Sequence, residues 1–188
     1  MATTATPVRD RILEAATRHY YAEGIRAVSA DRLIAEAGVS KVTFYRHFPT
    51  KDDLITAYLS QQVAYAEELL TEKRAELAGD PAAVLRAYAE GIGALACAPG
   101  FRGCPFINAA AELSQPDHPG HRVVVDHRDW LVGQFVELLM ELGVGDVRAK
   151  AEQLMMLRDG AMVAGYVGRT PQAVAETLTA AGRSVIGC

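Results

Sequence analysis

The chain has little from which to build a disulfide framework, a zinc cluster or a membrane anchor. Its cysteines are Cys97, Cys104 and Cys188. The odd number leaves one over and no two form a CxxC pair, so a reduced compartment is expected. The longest stretch without a charged residue, Leu54 to Ala66, spans 13 residues and includes Ser60, Gln61 and Gln62. A membrane-spanning helix needs about 20 apolar residues. From Met1 to Pro7 no basic segment precedes an apolar one, which argues against a secretory leader. No internal repeat or low-complexity tract is visible. The expectation is a cytoplasmic protein without membrane contact.

What is present suffices for a core. Of 188 residues, 50% are hydrophobic and 22% charged, which excludes wholesale disorder and allows one large or two small domains. The net charge of −4 is unevenly divided. Through Lys51 there are eight Lys and Arg against five Asp and Glu; from Asp52 onward there are eleven against eighteen. A basic head on an acidic body is the asymmetry of a chain that meets phosphate with one part only.

Thirty-two alanines and recurrent three-to-four spacing predict helices throughout. The first starts at Thr6 and Pro7, with Thr6 as cap and Pro7 as first helical residue, buries Ile12, Ala16 and Tyr20, and ends at Gly24. Ser29 caps a short second helix that Gly38 stops; Ser40 caps a third, reaching about Phe48 before Pro49. Thr50 to Asp53 has the spacing of a capping box and opens a long fourth helix. Further helices are expected over 81–98, around Phe106 to Leu113, and over 121–142, 146–168 and 171–186. Arg169, Thr170 and Pro171 separate the last two, and Pro119 and Gly120 are expected to interrupt helix between His118 and His121.

A short helix, a glycine turn and a second short helix at about 29–48 describe a helix-turn-helix, whose second helix enters the DNA major groove. Projected at 100° per residue with Phe44 at the buried pole, Phe48 lies on the same side. Val42 and Arg46 fall opposite, Thr43 and Tyr45 flank them, and Lys41 and His47 lie at the edges. Arg and Lys can read guanine, Val can pack on a thymine methyl, and Tyr and Thr suit phosphate. The helix starts at Ser29 and Thr50–Lys51 can receive phosphate through free amides.

The string from Ile12 through Tyr20, Gly24, Val28 and Ser29, and on through Leu33-Ile34-Ala35-Glu36-Ala37-Gly38-Val39-Ser40-Lys41-Val42-Thr43-Phe44-Tyr45-Arg46-His47-Phe48-Pro49 to Leu54, closely resembles the N-terminal domain of the tetracycline-repressor (TetR/AcrR-type) regulators. The resemblance runs from about residue 7 to 55. It implies an all-α protein with a three-helix DNA-binding domain over 1–52 and a larger helical ligand-binding and dimerisation domain over 53–188. It implies a sequence-specific regulator, a repressor binding a palindromic operator in double-stranded DNA as a homodimer. Carried over by position, Ser29 would meet phosphate at the start of the second helix, Lys41, Val42, Thr43, Tyr45, Arg46 and His47 would face the groove or its walls, Lys51 would hold phosphate, and Ser40 belongs to the same DNA-binding set. Asp31 departs from the pattern, standing where some members have a basic residue.

In the body, Gly160, Ala164 and Gly168, with Gly165 beside them, form a small-residue ridge. Val174, Leu178, Ala181 and Val185 make a matching stripe, together a candidate two-fold four-helix interface. Tyr65, Phe101, Phe106 and Asn108, with Trp130, Met155 and Tyr166, mix aromatics with polar groups and suit a small apolar or amphipathic ligand. Helix 4 is expected to couple that ligand to the head. His118, His121 and His127 match no zinc spacing, so no metal or cofactor is expected. Two alternatives remain: a small helical enzyme, although Cys104 has no identifiable orienting acid, and a DNA-binding scaffold that answers to no ligand.

Overall fold

Ser29, Ser40 and Thr50 each close the open start of a helix, and this punctuation shapes the first third of the computed structural model, which describes residues 6–168 and 173–187. α1 (Val8–Glu23) begins one residue later than expected. Pro7 is extended and its carbonyl accepts the Arg11 amide at 3.1 Å, so Pro7 itself is the cap residue and Thr6 makes no cap. In α2 (Ala30–Ala37) the Ser29 hydroxyl accepts from the Arg32 amide at 3.3 Å, and Gly38, at φ 62°, takes the left-handed turn that ends the helix. In α3 (Lys41–His47) Ser40 accepts from the Thr43 amide at 3.1 Å. α4 (Lys51–Glu76) opens on a complete capping box: the Asp53 amide donates to Thr50 at 3.1 Å and the Thr50 amide to Asp53 at 2.9 Å. Such a cap contributes about 1 kcal/mol.

The body comprises α5 (Pro81–Ala96), α6 (Pro105–Glu112), α7 (Pro119–Glu141), α8 (Val147–Val167) and α9 (Ala173–Ile186). Pro119 and Gly120 do not interrupt helix; they form the first turn of α7, with the His118 Nδ1 accepting the Gly120 amide at 3.0 Å. Proline is tolerated there because a first-turn amide has no partner within the helix. Gly93 lets α5 and α9 approach, since a Cβ on it would stand 2.4 Å from that of Ala175. The expected break at Arg169, Thr170 and Pro171, and with it the start of the last helix at 171, lies outside the described residues.

Two apolar clusters hold the molecule. The first joins Ile12, Ala16 and Tyr20 of α1 to Leu33, Phe44 and Phe48, continues through Leu54 and Tyr58 of α4, and reaches Ile92, Phe106 and Met162. It runs unbroken across residues 52 and 53, so head and body share packing. The second gathers Leu70, Val84, Leu131, Phe135, Leu138 and Leu154 at the far end. Among the described residues no helix is long and apolar enough to cross a membrane, no strand occurs, and no group of metal-ligating side chains assembles.

Candidate nucleic-acid interface and body cavity

α3 is too short to be stable alone, and two aromatic anchors fix it. Phe44 and Phe48 are buried, their rings 6.5 Å apart, each contributing roughly 1.5–3 kcal/mol. Because helical side chains advance 100° per residue, the anchors drive the opposite face outward. Val42 is 80% exposed, Arg46 is exposed, and Tyr45 is 40% exposed with its ring edge-on to Phe44 at 5.3 Å. Thr43 and His47 are half-buried at the flanks. The Thr43 hydroxyl pairs with that of Ser40 at 2.9 Å, so Ser40, like Ser29, is occupied by helix capping. Lys41 is exposed and meets Asp31 at 3.3 Å. Between two such exposed groups the pair is weak, leaving the ammonium ready to exchange that carboxylate for a phosphate.

Lys51 sits differently from the rest. Its Nζ donates to the Ile25 carbonyl at 2.8 Å and lies 5.9 Å over the Tyr20 ring. Burial pulls its pKa below the usual lysine value, opposed by Glu112 and Asp52. The ammonium therefore ties the start of α4 to the α1–α2 turn, which departs from the expected phosphate contact. Arg9 lies outside the expected set: its guanidinium covers the Phe48 ring at 5.2 Å, beside the end of α3. A second brace comes from the body. Glu112, the last residue of α6, accepts the amides of Ile25 and Arg26 at 3.0 and 2.7 Å. The Tyr21 hydroxyl donates to the Gly103 carbonyl at 3.0 Å, and Arg102 reaches the Ala22 carbonyl.

Of the residues expected to line one ligand site, Asn108 and Tyr166 meet beside Gly103, but the seven do not line one cavity. Tyr65 and Tyr166 are exposed, Phe101 packs against Gly165, and Met155 lies in the second core. Phe106 and Trp130 flank the His127 ring at 4.1 and 5.7 Å. Asn108 finds the partner that a half-buried amide requires, its Nδ2 donating to the Arg102 carbonyl at 2.8 Å. A cavity of about 290 Å³ lies elsewhere, between α5, α7, α8 and α9, with Tyr88, Phe135, Leu154 and Arg158 among its walls. Arg158 stands four residues from both Leu154 and Met162 on the inward stripe of α8. A charge on an apolar stripe was the available signal.

The small-residue ridge divides in the same way. Gly160, Ala164 and Gly168 are exposed, whereas Gly165 is buried, its Cβ position 2.6 Å from that of Ala96. Val174 is buried, Leu178 lines the cavity, and Val185 packs on the second core, with Ala181 half-buried. Gly165 and the α9 stripe thus serve packing within the chain. The outward apolar positions of α8 are Met156, Val163 and Val167.

Residues 12–58 match the family model described as bacterial regulatory proteins, tetR family. A TetR-family transcriptional regulator from Streptomyces coelicolor, known from its crystal structure, is 44% identical, covering 96% of this chain and 94% of its own with a TM-score of 0.90. The HTH-type transcriptional regulator LmrA of Bacillus subtilis is 26% identical over 162 residues, 85% of this chain and 84% of its own. A TetR-family regulator from Agrobacterium tumefaciens, 24% identical over 95% of this chain and 97% of its own, shares the fold at a TM-score of 0.83. With the head's capped helices, its outward α3 face and a near-complete match at 44% identity all in agreement, the chain belongs to the TetR family of DNA-binding transcriptional regulators.

Proposed function

We propose that the protein is a ligand-responsive repressor that binds a palindromic operator as a homodimer. The observation that carries this reading is the exposed row Val42, Tyr45 and Arg46, held outward by the buried Phe44 and Phe48. Arg46 reads guanine, Val42 packs on a thymine methyl, and Tyr45 with Thr43, Lys41 and His47 meets the groove walls. Capped by Ser29, Ser40 and Thr50, the starts of α2, α3 and α4 offer first-turn amides to phosphate. Lys51 holds the frame in which these groups sit.

One recognition helix reads too few bases for useful specificity, so two copies reading two half-sites are required. The pairing surface is the outward face of α8, where Met156, Val163 and Val167 surround Gly160, with the exposed small residues Ala173, Thr177 and Ala180 of α9 beside it. Gly160 has open space in front of it, which favours close approach of a partner helix. The body cavity is the sensing site. Its signal reaches the head along α4 and through the Glu112 clamp on the α1–α2 turn.

Gel retardation and footprinting of a palindromic fragment from the protein's own promoter test this reading. The expected result is protection of two half-sites about one helical turn apart, on successive major grooves. Equal affinity for the palindrome and for shuffled DNA would overturn it.

A further inference from the structure

We infer that the cavity between α5, α7, α8 and α9 takes an amphipathic organic monocarboxylate, whose carboxylate is received by Arg158. The inference rests on the reading of the body as a sensing domain and names what it senses.

The volume, about 290 Å³, holds roughly ten to fifteen non-hydrogen atoms at interior packing density. Leu85, Phe135, Leu142, Leu154 and Ile186 wall it, so the bulk of the ligand is apolar. The charged residues in the lining are all of one sign: Arg86, Arg158 and Arg183, with no Asp or Glu among the described residues. In a chain with net charge −4, composition does not produce such a lining.

Arg158 is only 7% exposed. A guanidinium so placed has lost its water and needs partners for its five donors. Its Nη1 reaches Asp159 at 3.0 Å and the Cys104 Sγ, a weak acceptor, at 3.2 Å, and the Tyr88 hydroxyl stands beside it; its Nε has no partner among the described residues. Asp159 does not neutralise it alone, because the other oxygen of that carboxylate pairs with Arg128. A surplus positive charge thus lines an apolar chamber, with an unfilled donor buried behind it. The planar carboxylate is the group whose two oxygens match the guanidinium fork. One partly compensated interior cation favours a single negative charge over a phosphate dianion. Arg86 and Arg183 are exposed and meet no carboxylate among the described residues; they draw the anion toward the cavity. Cys104 precedes the first residue of α6, whose last residue is Glu112. A carboxylate that engages Arg158 therefore acts where α6 begins, and α6 ends on the head.

Decanoate and decanol, alike in tail and different in head group, are the probes. Calorimetric titration of the full-length protein should show decanoate binding roughly tenfold or more tighter than decanol. In Arg158→Gln that preference should vanish while decanol binding persists. Should this variant not fold, Gly182→Leu, which places a side chain into the chamber from α9, should abolish decanoate binding with the fold retained. Arg86→Gln with Arg183→Gln should weaken decanoate severalfold, the more so at low salt. Equal binding of acid and alcohol to the unaltered protein, an acid preference surviving in folded Arg158→Gln, or unchanged binding in Gly182→Leu would overturn the assignment. Tight decanoate binding with unchanged operator affinity would uphold the ligand class and overturn the sensing role.

Discussion

Glu112, at the end of α6, accepts the backbone amide of Arg26 at 2.7 Å, a contact across 86 positions of sequence that fastens body to head. The same carboxylate takes the Ile25 amide and stands so close to Gly24 that a Cβ there would approach it to 2.9 Å. Two amides of the α1–α2 turn are thereby satisfied. Glu112→Ala should cost roughly 1–3 kcal/mol, since two donors lose a charged acceptor. Moreover, the response of operator binding to an inducing ligand should shrink in this variant. Urea unfolding reads the first effect and retardation titrations with and without ligand read the second. An unaltered ligand response would place the coupling in α4 alone.

Arg46→Ala should lower specific operator affinity by roughly 1–3 kcal/mol and relax preference at one base position per half-site. Affinity for random DNA should fall far less. A selection experiment on randomised half-sites locates that position.

Lys51 separates a structural ammonium from a phosphate contact. Because its Nζ is held by the Ile25 carbonyl, Lys51→Met should lower the melting temperature yet leave the salt dependence of operator binding unchanged. A phosphate-neutralising lysine would instead reduce the salt slope by about one unit. Lys41→Met should show that reduction.

His127 gives the fold an acid-sensitive point. Burial, and then the charge of Arg158, pushes its pKa down to about 4 from the usual histidine value of 6.5, and its Nδ1 has no partner among the described residues. An unfolded chain takes up the proton near the usual value, the folded chain only near the lower one. Stability is therefore lost as pH falls through that window, by roughly 2–3 kcal/mol at its lower end. His127→Phe preserves the ring between Phe106 and Trp130 and removes this dependence. Urea denaturation at about pH 7 and about pH 5 should show a smaller difference for the variant than for the unaltered protein.

Val163→Glu, on the outward face of α8, should yield a folded monomer that no longer protects an operator. A charge buried across a two-fold interface meets its own copy. Sedimentation velocity reads the mass, and a variant that stays dimeric would move the interface off α8.

The capping serines, the glycine turn at Gly38 and the two phenylalanines of α3 were legible in the chain itself. Each rests on interactions within a few residues, or on the angular step of a helix, and these do not depend on what lies beyond. Once Phe44 and Phe48 point inward, Val42 and Arg46 must point outward. Pro119 and Gly120 are ambiguous in sequence because a first helical turn and a break use the same residues, and the turn of His118 against α4, 3.3 Å from Asp52, selects between them. The destination of a long side chain was beyond local reach. Whether the Lys51 ammonium meets solvent or the Ile25 carbonyl depends on where α1 ends relative to α4. Whether Gly165 faces a partner or Ala96 depends on which side of α8 the helix α5 occupies. Periodicity assigns residues to faces of a helix, but packing among helices far apart in sequence chooses the neighbour of each face. The cavity around Arg158 exists only as the space those choices leave between four helices.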